Sequence, residues 1–247
     1  GSATTDGGAG AVQALGVRFE RTGRMPVPHG ESTGETPVPQ GPQGRWLTGG
    51  DLPTIARIDL SGRDARIART RIEVACDVDN PLLGPRGAAA IYGPQKGATP
   101  EQVEFLDRAL GHLADLIERD LGKNVREFAG AGAAGGLGAG LVAFCDAVLR
   151  RGVQMVIEAN GLAERVRGAD LVITGEGRLD RQSMMGKVIA GVAETARSAG
   201  VPVIALVGCT GEGADEALRV LQSFHIITPE GTPLPQALAQ TAANLES

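Results

Sequence analysis

The sequence predicts an α/β fold with a mostly parallel sheet. Four short segments are rich in β-branched residues, nearly unbroken in apolar character and bounded by Gly or Asp, as expected of strands buried on both faces. They are residues 72–78, 170–174, 201–208 and 225–228. Amphipathic helical segments lie between them, and the 247 residues suffice for one large domain or two small ones.

The clearest predicted helix covers residues 99–121. Apolar residues recur every three or four positions from Val103 to Leu121 and form one stripe. Thr99 and Gln102 form a capping box at its start, and Gly122 suits the position after its end. The other predicted helices are residues 7–15, 136–150, 184–199, 214–223 and 234–245.

Two features of the chain bear on its topology. Residues 171–207 have the pattern of a strand, a helix and a second strand, with Gly200 ending the helix, which predicts a βαβ crossover. Residues 24–45 instead repeat a Pro-Val-Pro motif and show no helical or strand period. We interpret this Pro/Gly-rich segment, residues 23–45, as an exposed insertion with no role in chemistry.

Composition limits the function classes. The net charge of −5 and the lack of basic runs argue against a nucleic-acid partner. No apolar stretch approaches the roughly 18 residues of a membrane span, so no membrane partner is expected. The three cysteines lie far apart in apolar segments, which is typical of reduced thiols in a cytoplasmic protein. Composition does not indicate an oligomeric state.

Polar residues follow three of the predicted strands. Asp77, Asp79 and Asn80 lie at the end of the first strand, residues 175–180 follow the second, and residues 208–213 follow the third. Because ligands bind beyond the carboxyl ends of parallel strands, we expect these loops to meet at one edge of the sheet.

The opening stretch GSATTDGGAG predicts a further ligand loop. Ser2 and Asp6 can donate or accept hydrogen bonds, while Gly7 and Gly8 would let a ligand approach the backbone amides at a helix start. The alternative is that the polar residues only cap the helix.

The stretch DLVITGEGRLDRQSMMGKV, residues 170–188, contains more charged and polar side chains than a turn needs. Glu176 and Asp180 are candidate ligands of Mg²⁺ or of a substrate hydroxyl, and Arg178 and Lys187 are candidate partners of phosphate or carboxylate groups. Ser183 could cap the helix that follows this loop. The alternative is a surface loop in which Arg178 pairs with Glu176 or Asp180.

Other glycine-rich stretches are less specific. No phosphate-binding P-loop is present, but the sequence GPQKGA places Lys96 in a tight loop before the helix at Thr99. Gly130, Gly132 and Gly135 satisfy G-x-G-x-x-G, with Glu158 at a suitable distance for a ribose contact. A dinucleotide-dependent oxidoreductase is therefore an alternative, although the segment before Gly130 makes a poor buried strand. The glycines would otherwise allow close helix packing or present amides to an anion.

Five stretches taken in order resemble the type I glycerate kinase family. They are GSATTDGGAGAVQALG, ACDVDNPLLG, GPQKGA, GAGAAGGLGAGLVAF and ITGEGRLDRQSMMGKVIAGVA. The resemblance implies a two-domain α/β kinase that uses ATP and Mg²⁺ to phosphorylate D-glycerate, with 2-phosphoglycerate the favoured product. It further implies a Rossmann- or flavodoxin-like domain from residues 1–22 and 165–247, and an inserted α/β domain from residues 46–164.

The resemblance also implies roles for individual residues. Asp180, Glu176, Asp79 and Lys187 would be catalytic, with Asp180 and Glu176 holding the metal. The substrate would contact Ser2, Asp6, Arg178, Asp77 and Asn80. The cofactor would contact Gly7, Gly8, Lys96, Gly175, Gly177 and Ser183.

Members of the family carry a further N-terminal part of about a third of the chain, which contributes strands and loops to the same cleft. This sequence starts where that part ends, so we expect the chain alone to be weakly active or inactive. A non-catalytic remnant or binding module is therefore a third hypothesis.

Overall fold

The computed structural model describes residues 3–22, 40–41, 44–184 and 188–246. The chain forms two compact units, Gly1–Arg150 and Arg151–Ser247, each with its own hydrophobic core. The predicted division into residues 1–22 with 165–247, and 46–164, stays a prediction.

The first unit is built around one long helix. Its helices are α1 (Ala9–Ala14), α2 (Ala88–Tyr92), α3 (Pro100–Leu121) and α4 (Ala133–Cys145). Its strands are β1 (Arg18–Arg21), β2 (Gln40–Gly41), β3 (Gly44–Arg45), β4 (Ile55–Asp59), β5 (Glu73–Ala75) and β6 (Val148–Arg150). Short 3₁₀ turns cover Gly49–Thr54, Ile67–Arg69 and Pro94–Lys96.

The described strands of the first unit form separate two-stranded pairs. β1 and β4 are antiparallel, with Arg18 opposite Asp59, and β2 and β3 form a second antiparallel pair. β5 and β6 are parallel, with Glu73 opposite Val148. The β2–β3 pair lies inside the Pro/Gly-rich segment, where no strand is predicted; the rest of that segment lies outside the described residues.

Helix α3 confirms its sequence signals. The Thr99 hydroxyl accepts from the Gln102 backbone N–H at 3.3 Å, and the Gln102 side chain accepts from the Thr99 N–H at 2.9 Å. Gly122 ends the helix in the left-handed conformation. Leu110, Leu113 and Ile117 are buried in the core of this unit.

The predicted helix 136–150 is wrong at its end. The backbone of α4 is left-handed at Ala134, Gly135 and Gly136, so its regular turns start after residue 136, close to the predicted start. The helix stops at Cys145, and Val148–Arg150 form β6. Asp146 adopts a left-handed conformation, and the Lys123 ammonium donates to Asp146 and to the Ala143 carbonyl oxygen. These partners come from elsewhere in the chain, so the local pattern does not reveal the stop.

The second unit holds a parallel sheet. Its strands, in spatial order, are β7 (Val172–Leu179), β8 (Val203–Thr210) and β9 (Ser223–Ile226). Its helices are α5 (Gly152–Ala159), α6 (Leu162–Arg165), α7 (Val188–Ser198), α8 (Leu234–Ala239) and α9 (Thr241–Glu246), with 3₁₀ turns at Arg181–Met184 and Ala214–Arg219.

The crossover from β7 through α7 to β8 confirms the predicted βαβ arrangement. Val172 lies opposite Val203 in the parallel ladder, and Gly200 has a positive φ of 75° after the helix. Buried residues of α7 and β8 share one core; they include Ile189, Ala193, Ala196, Val203, Ala205 and Val207.

Several predicted boundaries in this unit are wrong because strand pairing overrides the local pattern. β7 does not end at residue 174 but pairs with β8 as far as Leu179. The helix predicted over residues 214–223 is a 3₁₀ turn that stops at Arg219, since Ser223 already pairs with β8. The helix predicted over residues 234–245 is divided into α8 and α9 at Gln240.

The expectation of one sheet behind all three polar loops is also wrong. The predicted strand 72–78 is reduced to β5, which pairs with β6 in the first unit, whereas β7 and β8 belong to a separate sheet.

We expect Leu113→Ala to lower the free energy of unfolding by about 2 to 5 kcal/mol, because Leu113 is only 1% exposed and its removal leaves a cavity in the core. Urea denaturation measures the change. Glu104→Ala on the same helix is the control, since that side chain is 77% exposed, and it should change the value by less than about 0.5 kcal/mol. Equal effects would contradict the core position of Leu113.

Candidate functional site

Hydrogen bonds to the Asp6 carboxylate hold the loop before α1 in its conformation. Asp6 is 5% exposed, and its Oδ1 accepts from the Gly8 N–H at 3.0 Å and from the Thr4 hydroxyl at 3.2 Å. Its Oδ2 accepts from the Gly10 N–H at 3.1 Å. Gly7 and Gly8 both have positive φ, which side chains disfavour. The capping alternative therefore describes what Asp6 does here, and Ser2 lies outside the described residues.

Lys96 reaches this loop from the turn before α3. Its ammonium donates to the Thr4 carbonyl oxygen at 2.5 Å and to the Thr5 hydroxyl at 3.5 Å. Burial lowers the pKa of Lys96, and the Asp6 carboxylate opposes that shift. Within the described ranges, no carboxylate lies within 4 Å of this ammonium. Lys96 is thus a partly buried cation without an ion pair.

A cavity of about 530 Å³ opens beside Lys96. Its walls combine the polar loop with glycines and one apolar side: Ala3, Thr4, Thr5, Thr48, Gly49, Gly50, Gly93, Lys96, Gly97, Ala98, Glu101, Gln102, Phe105 and Leu106. The sequence analysis predicts Lys96 for this site but misses Thr48, Glu101 and Phe105. The only local signal was the Gly49–Gly50 pair, which by itself is common in turns.

The glycine run 130–140 packs against the Thr4–Gly8 loop. Ala134, Gly135 and Gly136 are left-handed in succession, with φ of 52°, 76° and 89°. A Cβ at Gly135 would lie 2.1 Å from the Thr4 carbonyl oxygen and 2.9 Å from the Lys96 ammonium. The Gly7 N–H donates to the Gly135 carbonyl oxygen at 3.1 Å. The observed arrangement is the close-packing alternative.

The loop after β5 contains an asparagine whose side-chain amide binds other residues of the first unit. The Asn80 side chain donates to the Arg86 carbonyl oxygen at 2.8 Å and accepts from the Tyr92 hydroxyl at 2.6 Å. Asp77 and Asp79 are exposed. Asn80 therefore has a structural part in the first unit, and the two acids face solvent.

In the second unit, the polar residues after Gly177 hold one another. The Arg178 guanidinium lies 3.5 Å from Asp180 Oδ2, which is the pairing that the surface-loop alternative predicts. Asp180 Oδ1 accepts from the Ser183 N–H at 3.2 Å, and the buried Ser183 hydroxyl donates to the Arg178 carbonyl oxygen at 3.1 Å. Lys187 lies outside the described residues.

Glu176 lies farther back along β7. Gly175, Glu176 and Gly177 line a cavity of about 630 Å³ together with residues of β8 and of the C-terminal helices. The Glu176 Oε2 atom is buried and has no hydrogen-bond partner in the part of the chain that the structure describes. Because β7 is paired at this point, Glu176 is fixed within a strand and not carried by a loop.

Comparison with known proteins decides the family. The family model described as "Glycerate kinase family" matches residues 1–247. The chain belongs to the glycerate kinase family. The resemblance seen in the five sequence stretches is confirmed.

Relatives within the glycerate kinase family match nearly all of the chain. A glycerate kinase of Halalkalibacterium halodurans is 46% identical over 247 residues, which is 100% of this chain and 60% of the relative. A glycerate 2-kinase of Escherichia coli is 45% identical over 234 residues, 94% of this chain and 57% of the relative. The chain thus spans about 60% of the length of these relatives.

A solved structure shares the fold. The crystal structure of a putative glycerate kinase 2 from Salmonella typhimurium LT2 is similar with a TM-score of 0.76 and 45% identity. The match covers 99% of this chain and 59% of that one. The predicted α/β class is confirmed as a mixed fold with parallel sheets.

The oxidoreductase alternative loses support in this glycerate kinase family member. The G-x-G-x-x-G glycines do not follow a strand, since the described residues 122–132 contain none. A dinucleotide fingerprint requires a strand directly before the glycines. Among the described residues, no helix is long and apolar enough to cross a bilayer.

In the described ranges, no group of three or more His, Cys, Asp or Glu side chains that could hold a metal occurs. Glu176 and Asp180 are four residues apart along and just beyond β7, which separates their backbones by about 13 Å, so the two carboxylates do not form one compact group. Mg²⁺ in kinases uses one or two carboxylates and completes its shell with waters and phosphate oxygens. The buried Glu176 Oε2 without a donor and the Asp180 carboxylate are oxygens of the required kind.

We expect Gly135→Ala to destabilise the first unit more than Gly97→Ala does. Both glycines are left-handed, so each alanine costs about 1 to 2 kcal/mol of backbone strain. A Cβ at Gly97 meets nothing within 4 Å, whereas one at Gly135 meets the Thr4 carbonyl oxygen. Overpacking should add about 1 to 3 kcal/mol at Gly135 alone, measured by thermal unfolding. Equal losses would contradict the close packing.

Proposed function

We propose that this chain is the core of a kinase that transfers the γ-phosphoryl group of ATP to a hydroxyl of D-glycerate. The observation that carries the proposal is the family match over all 247 residues. Because the chain spans about 60% of its relatives, the activity of those whole proteins is inferred for it and not observed. The relative named glycerate 2-kinase favours 2-phosphoglycerate as the product.

Phosphoryl transfer depends on positioning and on charge stabilisation, and the second unit supplies groups for both. Arg178 is 64% exposed, so its guanidinium is accessible to a phosphate while Asp180 orients it. Asp180 or Glu176 would hold Mg²⁺, which would offset negative charge on the phosphates. Lys187 retains its proposed catalytic role, and Gly175, Gly177 and Ser183 retain their proposed roles around the nucleotide.

The first unit supplies the remaining proposed groups. Asp6 would act on the substrate through the loop that it holds, because its oxygens already accept from backbone amides and a hydroxyl. Asp79 and Asp77 are exposed and accessible to substrate, and Asn80 would position their loop. Ser2, Gly7, Gly8 and Lys96 complete the proposed set. A cytoplasmic location agrees with three free cysteines.

ADP release from ATP with D-glycerate, compared with a glycerate-free control, tests the function. Weak glycerate-dependent release is expected of this chain alone, and phosphorus NMR of the product then distinguishes the 2- from the 3-phosphate. ATP binding without any glycerate-dependent ADP would contradict the kinase proposal for this chain and favour a non-catalytic remnant. Nicotinamide reduction would favour the oxidoreductase.

We expect Asp180→Asn to lower kcat about 100-fold or more, because it removes a charge proposed to act on the transferring phosphate. Steady-state ADP release measures kcat. Glu212→Gln in the neighbouring loop is the matched control, since that side chain is 91% exposed, and it should leave kcat unchanged. Circular dichroism checks that Asp180→Asn still folds. Unaltered turnover in Asp180→Asn, measured in an otherwise complete enzyme, would remove this residue from the catalytic set.

A further inference from the structure

The Lys96 cavity has two hydrogen-bond donors that the described chain leaves unused. An ammonium group carries three N–H donors, and Lys96 gives two of them, to the Thr4 carbonyl oxygen and the Thr5 hydroxyl. The Thr5 hydroxyl accepts from Lys96, and its own proton has no acceptor among the described residues. One N–H and one O–H are therefore available at neighbouring positions.

Two donors side by side suit the two oxygens of a carboxylate. The Thr4 hydroxyl and the Thr48 hydroxyl do not compete, because each already donates to a carboxylate of the chain, Asp6 and Asp51 respectively. Lys96 and Thr5 thus form one anion-binding pair inside the cavity.

The charges around the cavity select a singly charged anion. Lys96 is the only cation among the described lining residues, while Glu101 lines the same cavity and Asp6 lies close enough to Lys96 to affect its pKa. Hydrogen bonds from its own backbone N–H and from the Thr99 hydroxyl hold the pKa of Glu101 below its usual range, so it stays negative. Lys96 with Glu101 and Asp6 gives one positive and two negative charges, so a singly charged carboxylate meets much less repulsion here than a polyphosphate.

The remaining walls suit a short carbon chain with hydroxyl groups. Phe105, Leu106 and Ala98 provide an apolar side, and Glu101 is an acceptor for a ligand hydroxyl. The volume of about 530 Å³ lies within the range of roughly 300–1,000 Å³ typical of small-molecule sites.

We propose that the Lys96 cavity is the acceptor pocket, in which Lys96 and Thr5 donate to the carboxylate of a small hydroxy acid. This inference rests on the proposed kinase function. It assigns Lys96 to the carboxylate of the hydroxy acid and no longer to the nucleotide. Gly135 is a positioning residue for the pocket, because only a residue without a side chain fits between the Thr4 carbonyl oxygen and the Lys96 ammonium.

Calorimetric titration of the 247-residue chain with D-glycerate, glycerol and ATP tests the proposal. Lys96→Met should weaken D-glycerate binding about 10- to 100-fold, as expected for a lost hydrogen bond to a charged group. Thr5→Val removes only the hydroxyl and should weaken it about 3- to 10-fold. The affinity for ATP should stay within about 2-fold in both variants, and Lys96→Met should abolish the preference for D-glycerate over glycerol, which lacks the carboxylate.

Arg108→Met is the matched control, because it removes one positive charge from an exposed position on α3 outside the cavity. It should leave D-glycerate affinity unchanged. Thermal unfolding of each variant separates lost binding from lost folding, and Thr5→Val keeps the test valid if Lys96→Met unfolds.

Three results would overturn the proposal. They are a loss of affinity for ATP instead of D-glycerate, unchanged D-glycerate affinity in both cavity variants, and no D-glycerate binding by the unaltered chain. Its failure is distinct from failure of the kinase proposal. If D-glycerate binding depends on Lys96 but no ADP is released, only the kinase proposal is refuted. If ADP release depends on glycerate but the KM for glycerate is unchanged in Lys96→Met, only the proposed acceptor pocket is refuted.

Discussion

The contact between two stretches of backbone that lack side chains is the constraint on which the Lys96 cavity depends. Gly135 and Gly140 lie so close to the Thr4–Gly8 loop that a Cβ at either position would come within 2.2 Å of a carbonyl oxygen. This contact sets where the Thr4 carbonyl oxygen lies, and that oxygen in turn holds the Lys96 ammonium. The glycine run 130–140, which matches a dinucleotide-binding pattern, thus shapes the cavity through close backbone packing.

Two of the acidic side chains singled out in the sequence, Asp6 and Asp180, stabilise their own loops. Asp6 accepts from two backbone amides and a hydroxyl, and Asp180 accepts from Ser183 while it pairs with Arg178. Such bonds fix loop shape, because short polar side chains readily bind nearby amides. The groups available to bind a ligand are therefore those with unused hydrogen-bonding capacity among the described residues, such as Lys96, Thr5 and Glu176.

Local signals predicted those parts of the fold that local physics decides. The limits of α3 followed from Thr99 and Gly122, and the βαβ crossover followed from the apolar segments around α7. The pairing of β5 with β6 could not be predicted, because it joins residues about 75 positions apart, Glu73 and Val148. The same holds for the cavity, whose walls come from four separate stretches that only tertiary packing brings together.

Strand β7 has a consequence for handling the protein. In the described part of its sheet it is the outermost strand, with β8 on one side and Ile173 61% exposed. An eight-residue edge with a bare row of amides and carbonyls invites pairing with another copy and hence self-association. Solution measurements on this chain should therefore be made at low protein concentration, or with a partner that pairs with the β7 edge. Only then does its behaviour reflect single molecules.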